Sequence, residues 1–415
     1  MAKIKTITLG CRFNFYESEV SKAMIDSLHP NDDVIVINTC SVTHEAERQS
    51  KQAVKKPIRE NQNSKIIVTG CAAKTASSYF QSLDGVFKVI QNDKKEELDS
   101  YLDIPHSANN ITFDSDSVIE ESDQLFKNKA RVFLQIQNGC DHFCTYCIVP
   151  FTRGRSQSLP LETILNRVGH FVQLGFKEIV LSGIDITSYG KELENIDFSD
   201  VIISILNKYP TLERLRISSI DPKGIDDKLF DLLTNESRIM PHFHLSIQAG
   251  DNDVLKAMRR RHTREDVIKI CNRILEKRPE VVFGSDFIAG FPTETDQMFK
   301  NTLNLIDEAH LSLMHVFPYS PRSGTIAASM IQLPRTMILE RARILREKAN
   351  EAKEKLLKLL IGKKVSGMVE NSKNGISFGK TNSFIPFSIS ENLRPTTIVK
   401  NAIVQGFKDD LLVIS

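Results

Sequence analysis

"CDHFCTYC", residues 140 to 147, sets three cysteines within eight residues and then stops. Soft metals held by thiolates take four ligands. The fourth position therefore falls to another residue, to solvent or to a substrate. The run just upstream, "VFLQIQNG", reads as a strand, so the cysteines occupy the loop at its carboxyl end. A C-x3-C-x2-C loop is short enough to curl three sulfurs onto one face, and it differs from the two-cluster ferredoxin pattern C-x2-C-x2-C-x3-C-P. Zinc would need His142 as a local fourth ligand. A [4Fe–4S] cluster on Cys140, Cys144 and Cys147 would leave one iron open for chemistry.

Downstream, from about residue 129 to 320, strand-like and helix-like runs alternate. The strand candidates are "ARVFLQIQNG", "KEIVLSG", "RLRISSI", "HFHLSIQ", "VVFGSDFIAG" and "LMHVFPYS". Amphipathic stretches such as "PLETILNRVGHFVQLG" and "TREDVIKICNRILEK" separate them. Six such units are too few for a full eight-stranded barrel, and predict an open, partial (β/α)6 one with its site at the carboxyl ends of the strands.

Upstream, residues 1 to 102 show the same rhythm. "KIKTITLG", "DDVIVINT" and "SKIIVTG" read as parallel strands joined by helices, an open parallel α/β domain. Each of the three runs leads straight into a cysteine: Cys11, Cys40 and Cys71. Strand carboxyl ends share one edge of such a sheet, where ligands bind. One cysteine there would read as small apolar packing; three in the same topological position predict a metal or cluster site.

The segment 103–128 is acidic, rich in Ser and Asn and without apolar period, and reads as a linker. A basic helical stretch, "LERARILREKANEAKEKLLKLL", precedes short strands over residues 362–415 that predict a small antiparallel β-barrel. From residue 353 onward ten Lys/Arg stand against five Asp/Glu, a local excess that suits a polyanionic partner. The chain as a whole is nearly neutral, with 54 Lys/Arg and 52 Asp/Glu, so bulk charge announces no such partner. The 415 residues are 41% hydrophobic and 26% charged, an ordinary globular composition for two or three domains. The start, "MAKIKTITLGC", has no signal-peptide apolar region, and no run approaches the roughly 18 apolar residues of a membrane span. The expected location is the cytoplasm, where seven cysteines call for metal, catalysis or core packing rather than disulfides.

"CDHFCTYC" resembles the signature of the radical S-adenosylmethionine (SAM) enzymes. "TLGCRFNFYESE", "NTCSVTHEAERQS", "CTYCIVPFTRGRS", "HLSIQAGDNDVLKAMRRRHT", "DFIAGFPTET" and "HVFPYSPRSGTIAA" follow in the order found in methylthiotransferases. The resemblance covers nearly the whole chain. "TLGC" with "NTCSVT" is most similar to the branch acting on N6-threonylcarbamoyladenosine in tRNA; the branches acting on isopentenyladenosine and on a ribosomal protein are the alternatives. The resemblance implies an N-terminal methylthiotransferase domain (1–102), a central radical-SAM barrel (129–361) and a TRAM-like RNA-binding barrel (362–415).

It also implies two [4Fe–4S] clusters. Cys140, Cys144 and Cys147 would hold the one whose open iron is chelated by SAM, and Cys11, Cys40 and Cys71 the one that carries the sulfur to be inserted. Tyr146, Gly183, Ser246, Gln248 and Asp286 match positions where the family lines its SAM pocket, Gly183 only loosely through "LSGIDITSYG". Radical chemistry at an aromatic C2–H needs no side-chain base, so no residue is assigned as catalytic. The implied partners are tRNA, through an anticodon-loop adenosine, a low-potential electron donor and a sulfur donor.

This chain departs from the family at Gln157-Ser158-Leu159, where Arg-Ser-Arg is common. Cys271 lies on an apolar helical stripe with Val267, Ile270 and Ile274 and reads as core. "GISFGKT" has one residue too few between its glycines for a phosphate loop. "RRRH", residues 259–262, is either a phosphate contact or solvated surface. An iron–sulfur electron carrier would leave the barrel and basic module unexplained, and a zinc-dependent RNA-binding protein would leave the first cysteine set idle.

Overall fold

The computed structural model describes residues 4–28, 33–60, 64–95, 97–101 and 129–415, so the expected linker lies outside the described residues. The chain divides into two compact units, one of residues 1–127, 133–170 and 320–328, the other of 128–132, 171–319 and 329–415.

In the first unit, β1 (Lys5–Thr8), β2 (Val34–Thr39), β3 (Lys65–Gly70) and β4 (Val86–Val89) form a parallel sheet in that order. Helices Arg12–Leu28 and His44–Glu60 are the crossovers. The central strands β2 and β3 are nearly continuous apolar runs because helices cover both faces. Ile35, Ile37, Ile66 and Val68 pack with Val54 and Phe80 in one core, each such side chain contributing about 1.5–3 kcal/mol. The sequence reading missed β4, a four-residue strand with Lys88 inside it. β5 (Val132–Gln135) leads to the cysteine loop, which β6 (Gln137–Asn138) and β7 (Gln157–Ser158) close as an antiparallel pair.

In the second unit β8 (Glu178–Ser182) pairs in parallel with β9 (Arg214–Ile217). After one residue the chain continues as β10 (Ser219–Ile220), which opens a parallel sheet with β11 (His242–Gln248), β12 (Val282–Ala289) and β13 (Leu311–Pro318). Capping boxes start several intervening helices, with Asp197 and Asp200 at Phe198–Lys208 and Thr263 and Asp266 at Arg264–Lys277. Cys271 is fully buried on the second of these, and burial pushes its thiol up, as a core residue requires.

Helix Arg335–Leu360 leads to a closed barrel of β14 (Lys364–Lys373), β15 (Ile376–Thr381), β16 (Pro386–Ile389), β17 (Ile398–Lys408) and β18 (Leu411–Ile414). The barrel is not wholly antiparallel. The β17–β18 hairpin brings β18 back beside β16 in the same direction, and that parallel pair closes the ring. Closure leaves no strand edge exposed. Its core, with Val369, Phe387, Val404 and Leu412, runs on into Val282 of β12 and Leu357 of the helix.

Candidate metal centre and cofactor site

Three strand ends in the first unit carry Cys11, Cys40 and Cys71. Asn14 ties the first two ends together: its amide donates to Leu9 O (2.6 Å) and Thr39 O (3.3 Å). The Thr39 hydroxyl donates to Thr69 O (2.5 Å) and accepts from the Ala73 amide (3.2 Å), tying the Cys40 end to the Cys71 end. Gly10 has φ +91°, and a Cβ there would meet Cys40 Sγ at 2.8 Å, so the Cys11 loop lies directly against the Cys40 sulfur. Burial pushes the Cys40 thiol up to about 11, and the thiolates of Cys71 and Cys11 push the same way. Three sulfurs that repel one another as anions need a cation, and a bound metal would deprotonate them outright. Cys11 is exposed and the other two are buried; all three are free thiols. The donor set, three thiols at adjoining strand ends, suits a three-thiolate cluster.

Cys140, Cys144 and Cys147 lie in the same unit. Gly139, at φ +68°, admits the Arg155 carbonyl to within 1.9 Å of where a Cβ would stand. The Cys140 amide donates to Gly154 O (3.2 Å), and the His142 amide donates to Cys140 Sγ (3.5 Å). Amides aimed at sulfur stabilise thiolate and tune a cluster. From the segment 320–328 the Ala327 amide donates to Thr145 O (2.8 Å), holding the loop beside Tyr146. Gln157 and Ser158, where the sequence leaves the family pattern, supply the β7 side of the ladder that shuts this loop.

Sequence reasoning missed what lies between the two cysteine sets. Helix Val149–Arg153 begins two residues after Cys147 and ends at Arg153. The Arg153 guanidinium is buried, donating to Glu17 Oε1 (2.7 Å) and Asn14 Oδ1 (2.7 Å) and covering the Phe13 ring at 4.4 Å. Lys95, also buried, pairs with Glu17 at 2.5 Å and donates to Asn92 Oδ1 (2.8 Å). Asn92 in turn donates to Cys71 Sγ (3.6 Å) and Thr152 O (3.0 Å). Burial works against ionised Glu17, but Arg153 and Lys95 outweigh it and hold its carboxyl down to about 2. Two cations against one carboxylate leave a net positive charge beside the thiols of Cys71 and Cys11, which in turn help to raise the Arg153 pKa. The signal in the sequence was the "TRG" that follows the cysteine loop.

Of the SAM-pocket residues expected at strand ends in the second unit, Asp286 lies instead inside β12, with Phe287, Ile288 and Ala289 still to follow. Gly183 follows β8, and Ser246 and Gln248 lie on β11. Gln248 takes φ +77°, unusual for a residue with a side chain, where the β11–β12 register shifts. Arg260 donates to Ser246 O (2.5 Å) and His262 meets Ile247 O (3.2 Å), while Asp221 pairs with Arg260 at 3.0 Å. These two members of "RRRH" are thus spent on shaping the end of β11. Asp286 does not stand alone: its Oδ1 lies 3.1 Å from His244 Nε2 and 3.1 Å from His315 Nδ1.

The Radical SAM superfamily model matches residues 134–306, and Uncharacterized protein family UPF0004 matches residues 3–91. The fold is similar to that of a radical S-adenosylmethionine methyltransferase, TsrM from Kitasatospora setae, with a TM-score of 0.54 at 12% identity, covering 77% of this chain and 74% of that one. Residues 134–306 thus carry a radical-SAM domain, a superfamily that implies SAM and a [4Fe–4S] cluster. Threonylcarbamoyladenosine tRNA methylthiotransferase MtaB of Rickettsia prowazekii is 44% identical across 98% of this chain and 97% of its own length. The Bacillus subtilis protein of the same name is 36% identical over 80% of this chain and 76% of its own length. A tRNA-2-methylthio-N(6)-dimethylallyladenosine synthase of Pelagibacter ubique is 32% identical over 92% of this chain and 90% of its own length. The chain belongs to the radical-SAM methylthiotransferases and is of the MtaB type.

Proposed function

We propose that the protein inserts a methylthio group at C2 of N6-threonylcarbamoyladenosine, position 37 of tRNA. The observation that carries this reading is the pair of cysteine triads in one compact unit, together with near full-length likeness to proteins named for that substrate. Cys140, Cys144 and Cys147 would hold a [4Fe–4S] cluster and Cys11, Cys40 and Cys71 a second. With SAM bound, these groups would supply the radical chemistry for the C2–H bond and the sulfur to be inserted. The chain's own residues bind and orient. The β6–β7 ladder shapes the radical-cluster loop, and Arg153, Glu17, Lys95 and Asn92 fix that loop against the other cysteine set. Tyr146, Gly183, Ser246, Gln248 and Asp286 are the candidates for the SAM pocket.

The domain layout in this reading is 1–102, a linker over 103–128, a radical-SAM domain over 129–361 and a TRAM-like RNA-binding barrel over 362–415. The remaining partners are a low-potential electron donor and a sulfur donor. No helix among the described residues is long and apolar enough to cross a membrane; the cytoplasmic location in this reading follows from the tRNA substrate.

Anaerobic reconstitution should give about eight irons per chain. Replacing either cysteine triad with Ala should halve that number. Cys40→Ala should still yield 5′-deoxyadenosine yet install no sulfur, whereas Cys144→Ala should do neither. Mass spectrometry of nucleosides from tRNA treated with the enzyme reads the outcome. Methylthio product on isopentenyladenosine alone would reassign the substrate, and full iron retention by either triple variant would sink the two-site assignment.

A further inference from the structure

On one side of the parallel sheet β11–β12–β13, beyond Val282 and Leu313 that pack against the barrel core, the residues toward the carboxyl end are only partly covered. Phe243, Leu245, Ile247 and Phe287 point into the core, whereas His244, Asp286, His315 and Phe317 alternate with core-facing residues or lie on the open side of β13. Register puts Asp286 opposite His315 and Ile288 opposite Phe317, so a polar row lies beside an apolar one. Asp286 clamps both imidazoles through one oxygen, at 3.1 Å each. The rings stand 5.4 Å apart. The other ring nitrogen of His244 lies close against Gly284, where a Cβ would meet its Nδ1 at 2.9 Å. His315 is 63% exposed at its side chain, and Phe317 is 40% exposed two residues further along the strand.

We propose that His244, Asp286 and His315 form the recognition site for a polar, carboxylate-bearing N6 substituent on the target adenosine, with Phe317 receiving the flat base. This rests on the reading of the substrate as threonylcarbamoyladenosine. Such a substituent brings a hydroxyl, a carboxylate and amide N–H groups; with His315 Nδ1 donating to ionised Asp286, the outer nitrogen accepts from a hydroxyl or N–H when the ring is neutral and donates to the carboxylate when the ring is protonated. Asp286 holds His315 in place, so no rotamer freedom is lost on contact, and the ring face of Phe317 suits purine stacking.

The same wall excludes an isopentenyl group. Covering the imidazoles with carbon would remove their water and return no hydrogen bond, a loss of about tenfold for each hydrogen bond left unmade. Apolar pockets discriminate far less in the reverse direction. Selectivity within the family would then reside in His315 and its clamp rather than in the cysteines.

The test is binding of the reconstituted enzyme to three tRNAs of one sequence, with threonylcarbamoyladenosine, isopentenyladenosine or adenosine at position 37. Wild type should prefer the first. His315→Phe should lose about tenfold or more for that tRNA, the loss of one charge-assisted hydrogen bond, and shift the adenosine form by less than about threefold. His315→Gln should restore part of the preference. Asp286→Asn, at a position also named for the SAM pocket, should lower it by releasing the rings when measured at saturating SAM. An undiminished preference in His315→Phe, an equal loss by that variant on all three tRNAs, or a parallel loss of its SAM affinity would each overturn the proposal. If wild type shows no preference, the substrate reading falls with it; a preference indifferent to His315 and Asp286 defeats this inference alone.

Discussion

Glu17 is the residue on which the buried network turns. It lies in helix Arg12–Leu28 with no exposed surface, yet stays ionised because Arg153 and Lys95 reach it from other elements. Glu17→Gln would leave two cations buried with no carboxylate, which costs about 3–5 kcal/mol. Urea unfolding of the apoprotein should report that loss. The sign of its pH dependence follows from a carboxyl lowered from 4.5 to about 2. Ionised Glu17 stabilises the fold fully above pH about 4.5, and the contribution, on the order of 3 kcal/mol, disappears as pH falls through about 2. In Glu17→Gln that acid limb should flatten; an unchanged limb would place the effect elsewhere. Arg153→Lys should separate charge from shape: it keeps the cation but cannot hold Glu17 and Asn14 together through a planar fork. Iron at the first cysteine set should then become labile while the second set keeps its own, and electron paramagnetic resonance distinguishes the two.

At the scale of elements, the cysteine loop depends on a glycine more than on any polar contact. Gly139→Ala would drive a methyl into the Arg155 carbonyl at a left-handed φ, a strain of about 1–3 kcal/mol. The β6–β7 ladder should open, with about half the iron lost on gel filtration; full retention would show that the ladder is not what shapes the loop. Most of these elements were legible in advance. The six longer strands of residues 129–320 are apolar runs bounded by Gly and Pro, and period alone places them. β4 and β7 escaped notice because two to four residues, half of them polar, carry no period. The cysteines were readable because their spacing is local or their topological position repeats. His244 and His315 were not, although both lie in quoted strands: a lone histidine has no signature, and only parallel register brings the pair onto Asp286. Lys95 and Glu17 were hidden for the same reason, since a buried ion pair made by distant segments looks like surface charge in a sequence.

For the molecule as a whole, the C-terminal barrel is joined to β8–β13 through buried charge as well as apolar core. Glu178 on β8 is fully buried and gathers Arg131 (2.6 Å), Arg214 (2.6 Å) and Arg216 (3.1 Å). Arg131 continues to Glu370, Arg214 donates to Asn382 Oδ1 (2.5 Å), and Phe384 stacks on His242 with Arg216 over its ring at 4.7 Å. Deleting residues 362–415 would therefore expose Val282, Leu357 and three arginines, and would test folding rather than RNA binding. Substitution of surface lysines is the cleaner measurement. Lys363, Lys364 and Lys373 are exposed. Lys380 is not fully so: its ammonium lies 4.3 Å from the Phe384 ring centroid, which takes it out of the set. If the three exposed lysines meet tRNA phosphates, each neutralised phosphate releases counterions, and the log–log salt slope changes by about 0.7–0.9 per contact. The triple Ala variant should bind tRNA more weakly at low salt and lower the slope by about 2 to 3. Its preference among modified adenosines at position 37 should stay that of wild type, because phosphate contacts carry no base information. A slope identical to wild type would show that these lysines are solvated surface and that the polyanion is held elsewhere.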